Sequence, residues 1–71
     1  MVKEGRQVRA TVDVHRTFIE PRTGAETKGE LLMGRGEVAT VRQWVNAGAA
    51  RCEKEDGNTV LLKASQMEAA D

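Results

Sequence analysis

The sequence predicts a small α+β fold: an antiparallel sheet of two hairpins with one helix packed on one face, in the order strand, strand, helix, strand, strand. Three observations predict it. Val8, Ala10, Val12 and Val14 alternate with Arg9, Thr11, Asp13 and His15, the period of a half-buried strand. Val38, Val41 and Val45 recur at i, i+3 and i+7, the spacing of an apolar helical stripe. Asp56-Gly57 separates two strand-like runs, the strongest short hairpin signal a sequence carries.

The first strand starts at Gln7. Phe18 continues its apolar parity past Arg16, so the strand is expected to run on to Glu20 with a bulge or bend near Arg16. Glu20-Pro21-Arg22-Thr23-Gly24 then reads as a hairpin tip, with Pro suited to the first central position of a turn and Gly free to take a positive φ. Glu26 to Met33 returns as the second strand, where Gly29 marks a weak point or bulge.

Gly34-Arg35-Gly36 punctuates the chain, and the helix is placed over Glu37–Ala47. Trp44 and Gly48 extend its apolar side, Glu37 suits the positive end of the dipole, and Gly48 suits the stop. The β-branched Val38, Thr40 and Val41 fit a short strand over Glu37–Val41 equally well. Ala50–Lys54 and Thr59–Lys63 form the second hairpin around Glu55-Asp56-Gly57-Asn58. Residues 1–63 thus make one domain. Residues 64–71, although they contain the capping-box spacing Ser65-x-x-Glu68, are too few for an independent helix and read as a flexible tail.

This layout places Trp44, the valine stripe, Phe18 and the leucine pairs in one core. Only 18 of the 71 residues are Val, Leu, Ile, Met, Phe or Trp, and eight of those are Val. So small a core barely offsets the entropy of ordering the chain, and a partner or self-association is the economical expectation. Lys and Arg number 11, Asp and Glu 11, for a formal net charge of zero. Residues 1–35 carry seven positive and five negative side chains and residues 36–71 four and six, which leaves no basic stripe of the kind a nucleic-acid binder presents. No run approaches the ~18 apolar residues of a membrane span, and the first twenty residues lack the apolar run of a signal peptide. Neither membrane association nor secretion by that route is expected.

Few residues carry chemistry. One Cys and one His cannot build a four-ligand zinc site, and no cofactor or metal is expected. Cys52 and His15 would need to meet to act as nucleophile and base. The bland reading makes Cys52 a small core residue, and makes Asp13 and His15 part of a solvated strand face. Gly34-x-Gly36 before a helix has the outline of a phosphate-cradling loop, but neither the third Gly of a dinucleotide fingerprint nor a Lys-Ser/Thr pair follows. Arg9, Arg16, Arg22 and Arg35 are candidate interaction residues, although acidic residues interleave with them. Trp44 is either the centre of the core or an exposed contact anchor.

Four pieces of the chain resemble small proteins of tailed phages and prophages: the strand Val12-Asp13-Val14-His15-Arg16-Thr17-Phe18, the return Thr27-Lys28-Gly29-Glu30, the turn Gly34-Arg35-Gly36, and the helix closing in Val45-Asn46-Ala47-Gly48-Ala49-Ala50-Arg51. The resemblance spans residues 8 to 53, and Leu31–Arg35 lengthens the gap after the return strand. Such proteins are encoded among head and neck genes. The resemblance implies a virion structural or assembly accessory without enzymatic activity, acting by protein–protein contact as an oligomer or virion component, in the virion or the host cytoplasm. It carries over no catalytic residue. The alternative is a nucleic-acid-binding regulatory module using the Arg-rich N-terminal half.

Overall fold

The computed structural model describes residues 2–70. Seven strands account for the regular structure: β1 (Gln7–Ala10), β2 (Val14–Ile19), β3 (Glu26–Met33), β4 (Val38–Asn46), β5 (Ala49–Lys54), β6 (Thr59–Lys63) and β7 (Met67–Ala69). A single 3-10 turn, Ala64–Gln66, is the only helical element among the described residues. The strands form a five-stranded antiparallel sheet in the order β6-β5-β4-β1-β7, with β2 and β3 as a separate two-stranded hairpin inserted between β1 and β4. The fold is therefore nearly all β, which corrects the α+β expectation with its ββαββ order and packed helix.

The helix expected over residues 37–47 is the central strand β4, bonded to β1 on one side and β5 on the other. The strand carries two bulges. Val41 pairs with Cys52 but Gln43 with Arg51, so Arg42 is an extra residue. Likewise Trp44 pairs with Ala50 and Asn46 with Ala49, so Val45 is extra. Each bulge shifts the inward parity by one: Ala39 and Val41 are buried, then Trp44 faces in opposite the buried Ala50. Of the apparent stripe of Val38, Val41 and Val45, only Val41 is fully buried. A helix here would also strip β1 and β5 of their shared partner, which four β-branched side chains in one strand further disfavour.

The long first strand breaks in two. Val8, Ala10 and Val14 are buried, but Val12 is exposed in the bend between β1 and β2. Opposite β2, β3 carries two extra residues. Thr17 pairs with Lys28, His15 with Leu31 and Val14 with Met33, so the irregularity expected near Arg16 and Gly29 is present. Gly34-Arg35-Gly36 turns the chain from β3 into β4, with Gly36 at φ +88°. The chain reverses between β5 and β6 through Asp56-Gly57, with Gly57 at φ +90°, and Asp56 Oδ1 accepts the Asn58 N–H at 2.9 Å. At the end expected as a tail, residues 64–66 make the 3-10 turn and residues 67–69 pair with β1. Asp71 lies outside the described residues.

One cluster forms the core: Val8, Ala10, Val14, Met33, Ala39, Val41, Ala50, Cys52, Val60 and Leu62, with Val2, Leu32, Trp44 and Met67 packed at its margin. The cluster draws on β1, β4, β5 and β6 of the five-stranded sheet and on the base of the β2–β3 hairpin. The hairpin contributes Val14 and Met33 to the buried cluster and Leu32 to its margin, all at its base. Lys54 ties that base down: its Nζ donates to the Leu32 carbonyl at 2.8 Å and lies 3.3 Å from Glu37 and 3.7 Å from Asp56.

Candidate functional site

Beyond its base the β2–β3 hairpin is uncovered. Phe18 is 55% exposed, Ile19 69% and Leu31 54%, so Phe18 and Leu31 are not the core residues the sequence suggests. The hairpin closes through Glu20, whose N–H donates to the Ala25 carbonyl at 2.9 Å and whose carbonyl accepts the Gly24 N–H at 2.8 Å. Cross-strand register sets Ile19 beside Glu26 and Phe18 beside Thr27. Ile19 thus shares one face with Glu26, next to Glu20 in the turn, while Phe18 points to the other face.

A groove lies elsewhere, around Trp44. Val2, Met67 and the alanines at 64 and 69 join Trp44 in forming an apolar lining of a space of about 650 Å³, in the range of ligand-sized pockets, ~300–1,000 Å³. The charged residues lining it, Lys3 and Arg6, are both cations. Trp44 is half-buried, and its Nε1–H donates to the Val2 carbonyl at 2.6 Å. It is therefore neither the centre of the core nor a free anchor: the N-terminal segment pins one edge of the indole while the groove keeps the residue accessible.

The structure scatters the arginine candidates. Arg9 lies 3.6 Å from Glu68 across β1 and β7, and Arg16 Nε donates to Glu30 Oε1 at 2.9 Å across the hairpin. Arg22 sits at the hairpin tip and Arg35 in the turn after β3, where its backbone N–H donates to Asp13 Oδ1 at 2.8 Å. Only Arg9 and Arg35 line a common depression, and Glu68 lines it with them. Cross-strand carboxylates neutralise Arg9 and Arg16 locally.

The chemical candidates are also separated. Cys52 is fully buried, its thiol facing the Ala50 carbonyl at 3.8 Å, and burial pushes its pKa above the ordinary value of 9.0. His15 is on the hairpin, with Nδ1 3.3 Å from the Gly29 carbonyl. The N–H groups of the Gly34–Gly36 turn are all occupied from within the protein. Gly34 donates to Glu37 Oε1, Arg35 to Asp13 Oδ1 and Gly36 to the Ala10 carbonyl, so the turn has no free donors for a phosphate. No group of three or more His, Cys, Asp or Glu side chains able to hold a metal gathers among the described residues.

Sequence reasoning singled out Trp44 but missed Ile19 and the groove. The groove is built from residues 2–6, 44 and 64–69, which become neighbours only through pairing of β1 with β4 and β7. Ile19 lost its signal because a half-buried strand was expected to continue through it. The chain matches no protein-family model, no curated protein and no solved structure.

Proposed function

We propose that this chain is a non-enzymatic assembly module that works by protein–protein contact, with the β2–β3 hairpin as its contact arm. The observation that carries this reading is the exposure of Phe18, Ile19 and Leu31 on a hairpin whose only buried side chains are Val14 and Met33. Ile19 on one face of the hairpin and Phe18 on the other leave both sides with an exposed large apolar side chain, a surface that a partner holding the hairpin would cover. The zero net charge and the pairing of Arg9 and Arg16 with carboxylates favour a protein partner over nucleic acid. The resemblance to small head and neck accessory proteins of tailed phages supplies the setting, a virion or its assembly intermediate.

The test replaces residues 16–30 by a short turn, keeping the buried Val14 and Met33. Circular dichroism is expected to retain the β spectrum, while incorporation into purified particles of the parent phage or prophage is lost. Undiminished incorporation of the shortened chain would overturn the reading.

A further inference from the structure

Three large apolar side chains left exposed, Val12, Ile19 and Leu61, bear on one cleft. The β2–β3 hairpin and β6 wall a space of about 560 Å³, with Val12 and Leu61 in its lining. On the hairpin side, Thr17, Glu26 and Lys28 line it. Thr17 pairs with Lys28 and Ile19 with Glu26, with no register shift between the two pairs. Ile19 therefore shares their face and points to the cleft side, while Phe18 points away.

The hairpin is also the wall that can move. Its ladder breaks between Val14 and Thr17, where β3 carries its two extra residues, and a strand bends at such bulges. The Arg16–Glu30 pair spans the break at 2.9 Å, but both side chains are more than half exposed, and an exposed ion pair holds little. Below the break Val14 and Met33 are buried, whereas above it the hairpin buries no side chain.

We propose that the hairpin is a lid hinged at this break, which closes over the cleft and lays Ile19 on Leu61 and Val12. Closure withdraws apolar surface from water, and the moving wall itself carries the side chain that fills the space. Charge does not select the state. Glu26 and Lys28 of the hairpin share the cleft with Lys63 of β6. Of the other titratable groups there, Asp13 accepts the Arg35 N–H, Arg16 pairs with Glu30, and His15 lies at the Gly29 carbonyl. The lid goes beyond the contact-arm reading: open, the hairpin offers Ile19 to a partner, and closed, it withholds it.

Ile19 is the only isoleucine, so its Cδ1 methyl is a single NMR reporter. A lid mostly closed is expected to give Overhauser contacts between the Ile19 and Leu61 methyls. A lid mostly open is expected to give one μs–ms exchange rate shared by those methyls in relaxation dispersion. Leu61→Asp should abolish either signal at Ile19, and Ile19→Asp should abolish exchange at Leu61. Thr27→Asp, on the opposite face of the hairpin, should leave both. All three positions are exposed, and the amide spectrum of β4 and β5 checks that the sheet is unchanged. Absence of both contacts and exchange, or a signal at Ile19 that persists in Leu61→Asp, would overturn the proposal. The contact-arm reading would survive either result, because particle incorporation of the shortened chain tests it separately.

Discussion

The ring of Phe18 covers Gly29 across the hairpin: a Cβ added to Gly29 would lie 2.6 Å from Phe18 Cε2 and 3.1 Å from the Arg16 carbonyl oxygen. The aromatic ring shields a stretch of strand that has no side chain of its own, at the point where the β3 bulge interrupts the pairing. Gly29→Ala is expected to push the ring aside and destabilise the chain by about 1 kcal/mol, within the ordinary range for point substitutions. In a Phe18→Ala background the same change meets only the carbonyl and should cost less. A double-mutant cycle by urea unfolding should give a coupling of about 0.5 kcal/mol or more, and strict additivity would show that the two residues act separately.

Adjacent leucines on β6 should behave oppositely. Leu62 is fully buried and Leu61 is 57% exposed. Leu62→Ala leaves a cavity in the core and should cost about 2–5 kcal/mol, against a total of about 4–10 kcal/mol expected for a chain of this length. Leu61→Ala should change stability by no more than ~0.5 kcal/mol. Equal urea midpoints for the two variants would contradict the observed register of β6 against β5.

Cys52 should be unreactive in the folded chain. Its thiol is buried, and desolvation raises its pKa above 9.0, so an alkylating reagent should label it only at the rate of global opening. The unfolded chain loses the thiol proton at a lower pH than the folded chain does. The stabilisation is therefore complete below about pH 9 and is lost as the pH rises through the folded value. In Cys52→Ala that alkaline decline in stability should be shallower. Rapid labelling of the native chain at neutral pH would overturn the placement.

Lys54→Met tests the contact that ties the hairpin base to the sheet. The substitution keeps an apolar stem but leaves the Leu32 carbonyl without its Nζ donor, at a cost of about 1–3 kcal/mol. Asp56 responds less. Its carboxyl lies below the ordinary 3.8 chiefly because the Asn58 backbone N–H donates to it, with Lys54 a smaller cause. An NMR titration of Lys54→Met should still find Asp56 below 3.8. Asp56 contributes stability above its ordinary pKa and loses it as pH falls through the folded value, so acid destabilisation from this group should persist in the variant.

Much of the chain was legible without tertiary information. Both hairpin turns, the return strand Glu26–Met33 and the irregularity near Arg16 and Gly29 are written in local signals: Pro and Gly at turn positions, Asp-Gly between alternating runs, and a glycine inside a strand. The failure at β4 also has a local cause. The bulge at Arg42 turns a spacing of two into one of three between the inward Val41 and Trp44, and Val38 and Val45, which are not in the core, complete a helical spacing that no buried face follows. β-branching was the signal that pointed the right way.

Local sequence therefore settled where the chain turns and which residue types it can spare for chemistry, because turn geometry and side-chain inventory depend on neighbours in the chain. Long-range pairing settled the rest. Whether Val38–Asn46 is helix or strand depends on β1 and β5 offering donors and acceptors on both sides. Whether Phe18, Ile19 and Leu31 are core or surface depends on a core that forms without them. Residues 64–69, too short to order alone, hold their place because β1 supplies a strand to pair with, and that pairing in turn forms one wall of the Trp44 groove.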